Sequence, residues 1–485
     1  MKTKTTNLLL LLLFVATLSF RLFFSLHLET YSSGEAYFNQ RIITTLLQEK
    51  HFLYTDPLSY GGRTYLFPPF FYFFLAVLSF GSKILLKILP ELFLSSTVFI
   101  TYFLSYEITQ DKWTSLLGAT LSSFLPLYLW ETTNQLSINS LFIPLLFLSL
   151  YSFLHLEKKT SLWIFIISTF LIPLTSPHAY LLLLIFLFYF LLQAGGALTP
   201  SKLEKEAATL AFFLIPLFSL ILYKKTFLTY GLSFIWQNIP SIILAEQFRP
   251  LSGLELVLTT GIVPLLLGVF SLYLGLHKDK NKAVTLLSAL ILAALTLLSL
   301  RLVTISTGLL FLGLGFSIIS PLAVSKFYHF LEISTFSRFK KIITTSLLLL
   351  LFFTTFLPAY TQMQHLQGVD PQTIKDFTLL KEQTTAQDVI LGNIEEGFLI
   401  TSIAERKNVL DNHFLLAARP VERLHDVDII YTTWSQAKAE EYLRKYHVTI
   451  IYLSKQTQTL YGITSLSYAT TPCFKTEGRI IHVLC

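Results

Sequence analysis

The chain has 485 residues, of which 53% are hydrophobic and 13% charged, with a mean hydropathy of +0.61. That is more apolar surface than a soluble core can hide, so a soluble globular protein is excluded and a polytopic α-helical membrane protein is expected. The formal charge of +7 and pI near 9.1 would suit a polyanion, but the lysines and arginines fall mostly in short loops between apolar runs, so nucleic acid is set aside and the lipid bilayer taken as the partner.

In chain order, "NLLLLLLFVATLSFRLFFSL" follows "MKTKTT" and lacks a small-x-small cleavage site. It is long enough to span and reads as a retained signal anchor. Further crossings are expected at about 89–108, 113–130, 139–155, 160–176, 178–194, 207–223, 254–276, 283–300, 302–320 and 341–360, which with 7–26 makes about 11 transmembrane helices. The stretch "LFPPFFYFFLAVLSF", about 67–81, is short and opens with Pro68-Pro69, so it is read as re-entrant or interfacial on the outer side. Left out of the count, it makes "MKTK", "TQDK", "LEKK", "PSKLEKEA", "HKDKNK" and "SRFKK" the cytoplasmic loops, a consistent lysine-rich set. The same parity makes the N-terminus cytoplasmic and puts residues 27–66, 131–138, 224–253 and everything after about 361 outside the cell. The protein is thus expected in the cell membrane as a multi-pass chain: a transmembrane domain over 1–360 with a large first outer loop (27–88), then a second domain over 361–485.

That tail alternates charged amphipathic stretches, "PQTIKDFTLLKEQ" and "WSQAKAEEYLRKYH", with β-branched runs, "DVIL", "VTIIYLS" and "RIIHVL", and reads as a small extracytoplasmic α/β domain. Both cysteines, Cys473 and Cys485, lie in it. A disulfide across a terminal hairpin in an oxidising compartment and two unrelated buried thiols are both open readings. The sequence holds no internal repeat, P-loop, zinc spacing, GxSxG or Asn-x-Ser/Thr sequon.

The apolar runs carry almost no acid at mid-depth, where transporters and pumps commonly place coupling carboxylates. The conspicuous acids, Glu35 and Glu246, fall instead in long outer loops, which favours a site between outer loops. Around Glu35 the chain reads "GEAYFNQR", and it continues with "YLFPPFFYFFLAVL". Further on come "IILAEQFRP" with Glu246, Arg301 at the outer end of a span, and "VILGNIEEGFLITSIAERKNVLDNHF" in the tail.

In this order the pieces resemble the oligosaccharyltransferase catalytic subunits of archaeal type, in the GT-C superfamily of membrane glycosyltransferases. Glu35, Ala36, Tyr37, Phe38 and Arg41 match the first-outer-loop pattern D-A-Y-Y-x-x-R, and the Pro68-Pro69 segment matches a Y-P-P stretch that stays in that loop. Glu246 falls at the glutamate of T-I-x-E, Arg301 where the family carries an arginine on the donor phosphate, and the tail segment at W-W-D-Y-G-x-x-I followed by A-D-N. The resemblance implies a GT-C-like fold and a glycosyltransferase. It would move a sugar or oligosaccharide from a polyprenyl (dolichyl-type) phosphate or pyrophosphate to an acceptor protein or glycan, with protein N-glycosylation as one form. It implies Glu35 and Glu246 as catalytic acids, Arg301 and Arg41 on the donor phosphate, and Glu395 and Glu396 on the acceptor. Two departures stand out. Where the family has a D-x-D or D-x-E pair this chain reads "ETTNQLSINS", with no carboxylate beyond Glu131, and the W-W-D-Y-G core is "NIEEG".

Such a transfer needs an anionic leaving group stabilised and an acceptor nucleophile deprotonated or oriented, roles that a cation and a carboxylate at head-group level can fill. A Mg or Mn ion on Glu35, Glu246 and His178, the last in the outer turn "TSPHAY", is the alternative stabiliser. Against these stand plainer readings: solvated loop acids for Glu35 and Glu246, surface acids for Glu395 and Glu396, a packing role for His178, and snorkelling for Arg301 and Arg21. A lipid-linked sugar flippase or a non-catalytic GT-C-like subunit remain the other function classes.

Overall fold

The structure, a computed structural model, describes residues 3–196, 199–233, 240–248, 252–277, 281–470 and 472–485, with the side chain of Glu246 outside the description. Helix α1 (Thr3–His27) opens the chain, followed by α2 (Gly34–Glu49), the two-residue strands β1 (Thr55–Asp56) and β2 (Arg63–Thr64), α3 (Phe70–Ser79) and α4 (Lys83–Thr109). Among the described residues seven helices are long and apolar enough to cross a membrane: Lys4–His27, Lys83–Thr109, Pro177–Gly195, Lys202–Leu222, Lys282–Ser299, Ile305–Ile333 and Thr345–Gln364. Shorter apolar helices, Asn139–Phe153, Lys159–Thr175 and Ile262–His277, fall where three more crossings were expected. The run expected at 113–130 is broken into α5 (Lys112–Ser123) and α6 (Pro126–Thr132). Proline has no N–H to carry the first helix onward but is favoured in the first turn of a new one.

The stretch about 67–81 folds as α3, ten residues that begin after Pro69 and end at Phe80 in a left-handed conformation. Ten helical residues rise about 15 Å, half of a hydrocarbon core, so α3 cannot cross. Its neighbours Phe80 and Ile84 and its own Phe73 and Val77 are exposed, as suits a helix lying against lipid.

The bundle's core is aromatic and aliphatic, with Phe142, Phe147, Phe153, Phe165 and Phe186 packed against Val284, Leu287 and Ile291. Its helices close on one another through glycine: a Cβ on Gly315 would lie 2.9 Å from Ile291.

The tail is an α/β domain, as expected. Its sheet has the order β4-β3-β5-β7-β6, formed by Val389–Leu391 (β3), Lys407–Asn408 (β4), Val448–Tyr452 (β5), Phe474–Glu477 (β6) and Ile480–Val483 (β7). β3 runs parallel to β4 and β5, and β7 is antiparallel to both β5 and β6. Cys473 and Cys485 are bonded to each other across the β6–β7 hairpin, Cα–Cα 5.1 Å, and the Leu484 N–H donates to the Cys473 carbonyl at 2.8 Å beside them. The disulfide reading holds.

The first outer loop does not float free. Its turn between β1 and β2 uses positive φ at Tyr60 (55°), Gly61 (75°) and Gly62 (115°), which sharply reverses the chain. The turn inserts the Tyr60 ring into the tail's hydrophobic core beside Leu410, Phe414 and Leu424.

Candidate active site

Glu35 sits in the first turn of α2, whose N-cap is Ser33: the Ser33 hydroxyl accepts from the Ala36 N–H. A carboxylate is favoured there by the helix dipole. The side chain is open to solvent, yet the surrounding protein presses closely enough to push its carboxyl above the usual range. A hydrogen bond with Asn39 opposes the shift and the neighbouring Glu395 adds to it. Glu35 is thus exposed yet crowded by the protein around it, and desolvation and a like charge raise its proton affinity.

Beneath it, the segment after α6 holds the loop in place. The Ser32 N–H donates to the Asn134 carbonyl (3.2 Å), Ser33 Oγ to Gln135 Oε1 (2.9 Å) and Asn39 Nδ2 to the Leu136 carbonyl (2.8 Å). Asn134 Nδ2 in turn donates to the Thr30 carbonyl (2.8 Å) and Ser32 Oγ (3.0 Å). This segment is anchored from below by a buried ion pair. Arg21 Nε donates to Glu91 Oε2 at 2.7 Å and its Nη2 to Thr132 Oγ1 at 2.8 Å, while Glu91 Oε1 accepts the Asn134 N–H at 2.7 Å. Arg21 therefore does not snorkel: it is fully buried, because Glu91 from α4 neutralises it inside the bundle. Nothing local in the sequence pairs residues 70 apart, but Glu91 is the only acid between Asp56 and Glu107, and a lone acid in an apolar run is the signal for such a partner.

Opposite Glu35 stands the tail turn "NIEEG". Glu395 is exposed and accepts from Asn412 Nδ2 at 2.7 Å. Its carbonyl lies 3.0 Å from where a Cβ on Gly34 would be, so the two walls meet at that glycine. Glu396 turns the other way: it is 2% exposed, accepting from the Asn393 N–H (2.9 Å) and Thr457 Oγ1 (3.2 Å) inside the domain. Burial pushes its carboxyl up to about 7. Of the two glutamates, only Glu395 faces the cleft side.

The remaining candidates are placed as follows. Arg41 is engaged with Asp56 in a two-point ion pair, 2.9 and 2.8 Å, which ties α2 to β1. Arg301 is exposed in the turn before the helix Ile305–Ile319, with its guanidinium 5.7 Å from the Phe248 ring. This brings Arg301 beside the short helix Ser241–Gln247 that carries Glu246, whose own side chain lies outside the described residues. Glu131, the one acid of "ETTNQ", hydrogen-bonds Ser306 near the same turn. His178 stacks its ring 6.0 Å from Phe142, and its Nδ1 is buried with no partner among the described residues.

For a divalent ion the described residues offer Glu35 as an open carboxylate, while the nearby amides Asn134 and Gln135 are spent on the loop. Hard cations take six or more oxygens, and no group of three or more His, Cys, Asp or Glu side chains placed to hold a metal occurs among the described residues. The described donors do not fit an ion at Glu35, and no step below runs through one.

A bundle of membrane-spanning and half-length apolar helices, a carboxylate in the folded loop after α1 and an α/β domain seated on that loop make up a fold shared with solved structures. The oligosaccharyltransferase of Archaeoglobus fulgidus in its apo form superposes with a TM-score of 0.70 at 15% identity, over 94% of this chain and 72% of that one. The same enzyme, AglB, in complex with an inhibitory peptide and a dolichol-phosphate gives a TM-score of 0.66 at 14% identity, over 90% and 69%. ArnT from Cupriavidus metallidurans bound to undecaprenyl phosphate gives 0.56 at 12% identity, over 98% and 97%. No family model and no curated protein matches the sequence.

Proposed function

We propose that the chain is a membrane glycosyltransferase that moves a sugar or oligosaccharide from a polyprenyl phosphate or pyrophosphate to an acceptor, protein N-glycosylation being one form. The observation that supports this reading is Glu35: a carboxylate of raised proton affinity in the first turn of α2, beside the tail turn that carries Glu395. The neighbours' ligands, a dolichol-phosphate with a peptide in one and undecaprenyl phosphate in the other, support a lipid-linked donor. In the reaction an acceptor O–H or N–H attacks the anomeric carbon, the bond from that carbon to the phosphate oxygen breaks, and the acceptor proton passes to Glu35. Arg301 opposes the charge gathering on the departing phosphate. Glu246 is the second acid from the later loop, and Glu395 with Asn412 lines the acceptor side. Arg41 acts through Asp56 in fixing α2 and does not reach for phosphate.

The orientation belongs to the same proposal: N-terminus cytoplasmic, tail outside. A reporter fused after residue 281 should be cytoplasmic and one fused after residue 365 extracytoplasmic; the reverse at both would place Glu35 on the wrong side for this reading. A carrier of lipid-linked sugars is the second reading, because Glu91 is an acid buried in the bundle. Its oxygens are spent on Arg21 and the Asn134 N–H, which makes it a support and not a relay.

Glu35→Gln keeps size and most hydrogen bonding but removes the base. Transfer should fall by roughly 100-fold or more, the scale of a lost acid–base group, with folded yield unchanged. Normal transfer in that variant ends the proposal. Chelation separates the versions of it: activity lost with EDTA and restored by Mn or Mg would bring a metal to Glu35, Glu246 and His178, and full activity in EDTA leaves Glu35 as a metal-free base.

A further inference from the structure

We infer that Asp411 is a positioning residue of this same site: buried against Arg63, it fixes the tail turn bearing Glu395 relative to the helix bearing Glu35. The inference rests on the reading of Glu35 given above and goes beyond it.

Asp411 is fully buried and gathers three segments. From the first outer loop, Ser59 Oγ and Tyr65 OH (3.2 Å) donate to Oδ2 and Arg63 Nη1 (3.3 Å) to Oδ1, while Tyr60 OH donates to its carbonyl at 2.6 Å. From its own segment, Asn408 Nδ2 (3.3 Å) and the His413 N–H (2.9 Å) complete the carboxylate's shell. Arg63 carries the bond network onward to the carbonyls of His413 and Leu415, with its guanidinium 4.1 Å over the Tyr65 ring. The third segment is the turn itself: Asn408 Nδ2 also donates to the Gly397 carbonyl (2.9 Å), and a Cβ on Gly397 would lie 2.7 Å from that of Asp411. Glu395 is two residues away. The circuit closes on α2, where Phe38 meets the Phe398 ring at a tilt (5.1 Å) and the His413 ring edge-on (5.0 Å), and Gly34 abuts the Glu395 carbonyl.

An apolar contact would hold these surfaces together as strongly, since a buried ion pair is seldom a net gain over packed hydrocarbon. What the charged network adds is direction. Six donors to one residue leave a single arrangement, and a displacement of about 1 Å between reacting groups costs on the order of 100-fold in rate.

Asp411→Asn removes the charge at constant size. With the full chain in membranes, and radiolabelled lipid-linked sugar extracted from native membranes as donor, turnover should fall about 10- to 100-fold while the donor KM stays within about 2-fold. The acid limb of the pH profile should also move to lower pH. Glu35 faces Asn39 and Tyr72 from its own loop and Glu395 from the tail, and loosening the tail withdraws the like charge of Glu395. Where Asp411→Asn does not accumulate, Tyr65→Phe removes one hydroxyl from the same carboxylate and should lower turnover several-fold, with the limb moving the same way. Wild-type turnover per folded molecule, or lower turnover with an unmoved acid limb, overturns the inference. If Glu35→Gln is inactive and these variants are normal, only the positioning role is lost; an active Glu35→Gln removes the reading beneath it.

Discussion

Two buried arginine–carboxylate pairs support the helix that carries Glu35, and they are built from different materials. At the membrane edge Arg21 takes side chains from two helices, Glu91 of α4 and Thr132 of α6, with the Tyr128 ring 5.2 Å away. Against the tail Arg63, from β2, takes one carboxylate and two main-chain carbonyls of a tail loop. The first pair joins rigid spans in a region with no water to replace a lost partner; the second shapes irregular backbone that solvent can reach once it opens. The same ion chemistry therefore sets a foundation in one place and a fit in the other.

The comparison predicts a ranked set of effects. Glu91→Gln strands a guanidinium in the bundle and should cost about 3–5 kcal/mol, read as lost folded protein in a detergent melt. Arg21→Met with Glu91→Leu should recover much of that, and a double variant no better than the single one would deny the pair its role. Next comes Glu396, a buried carboxylate held mainly by hydroxyl and backbone donors, where burial outweighs the pull of Arg479. Its folded value of about 7 lies above the ordinary 4.5, so stability is fully present below about pH 4.5, falls as pH rises toward 7 and levels off above. The loss is about 3 kcal/mol at 1.36 kcal/mol per unit. Glu396→Gln should flatten the dependence of the full-chain melting temperature between pH 5 and 8; an unchanged slope would assign it to another group. Smallest is the surface pair Lys381–Glu405, half-exposed at both ends, where Lys381→Ala should cost less than about 1 kcal/mol.

Legibility in the sequence followed the range of the interactions. Seven of the expected crossings, the shortness of the 67–81 segment and the tail's α/β character are local patterns of hydropathy, proline and alternation that appear in the fold, whereas three crossings are shorter apolar helices and the run at 113–130 is broken before Pro126. The disulfide needed only twelve residues of separation. Glu35 stood out because an acid in a long loop within the short motif "GEAYFNQR" is a local feature. Arg21 was misread as snorkelling because its neutralising partner lies on another span. Glu395 and Glu396 are adjacent in sequence and opposite in direction, and only the Asn393 and Thr457 contacts decide which faces inward. "LDNH" lay inside the matched tail segment, but that Asp411 would receive Arg63 is set by a contact 348 residues long.

That separation has a consequence in time. When the first outer loop emerges, Arg63 and the Tyr60 ring have nothing to bind, because Asp411 has not been made. At roughly 5 to 20 residues per second of synthesis, the loop waits on the order of 20 to 70 s while the helices of the bundle insert one after another. Only then does the tail close over it. The wall proposed for catalysis is thus the last part of the molecule to exist, and a chain still being made has its apolar helices without that wall.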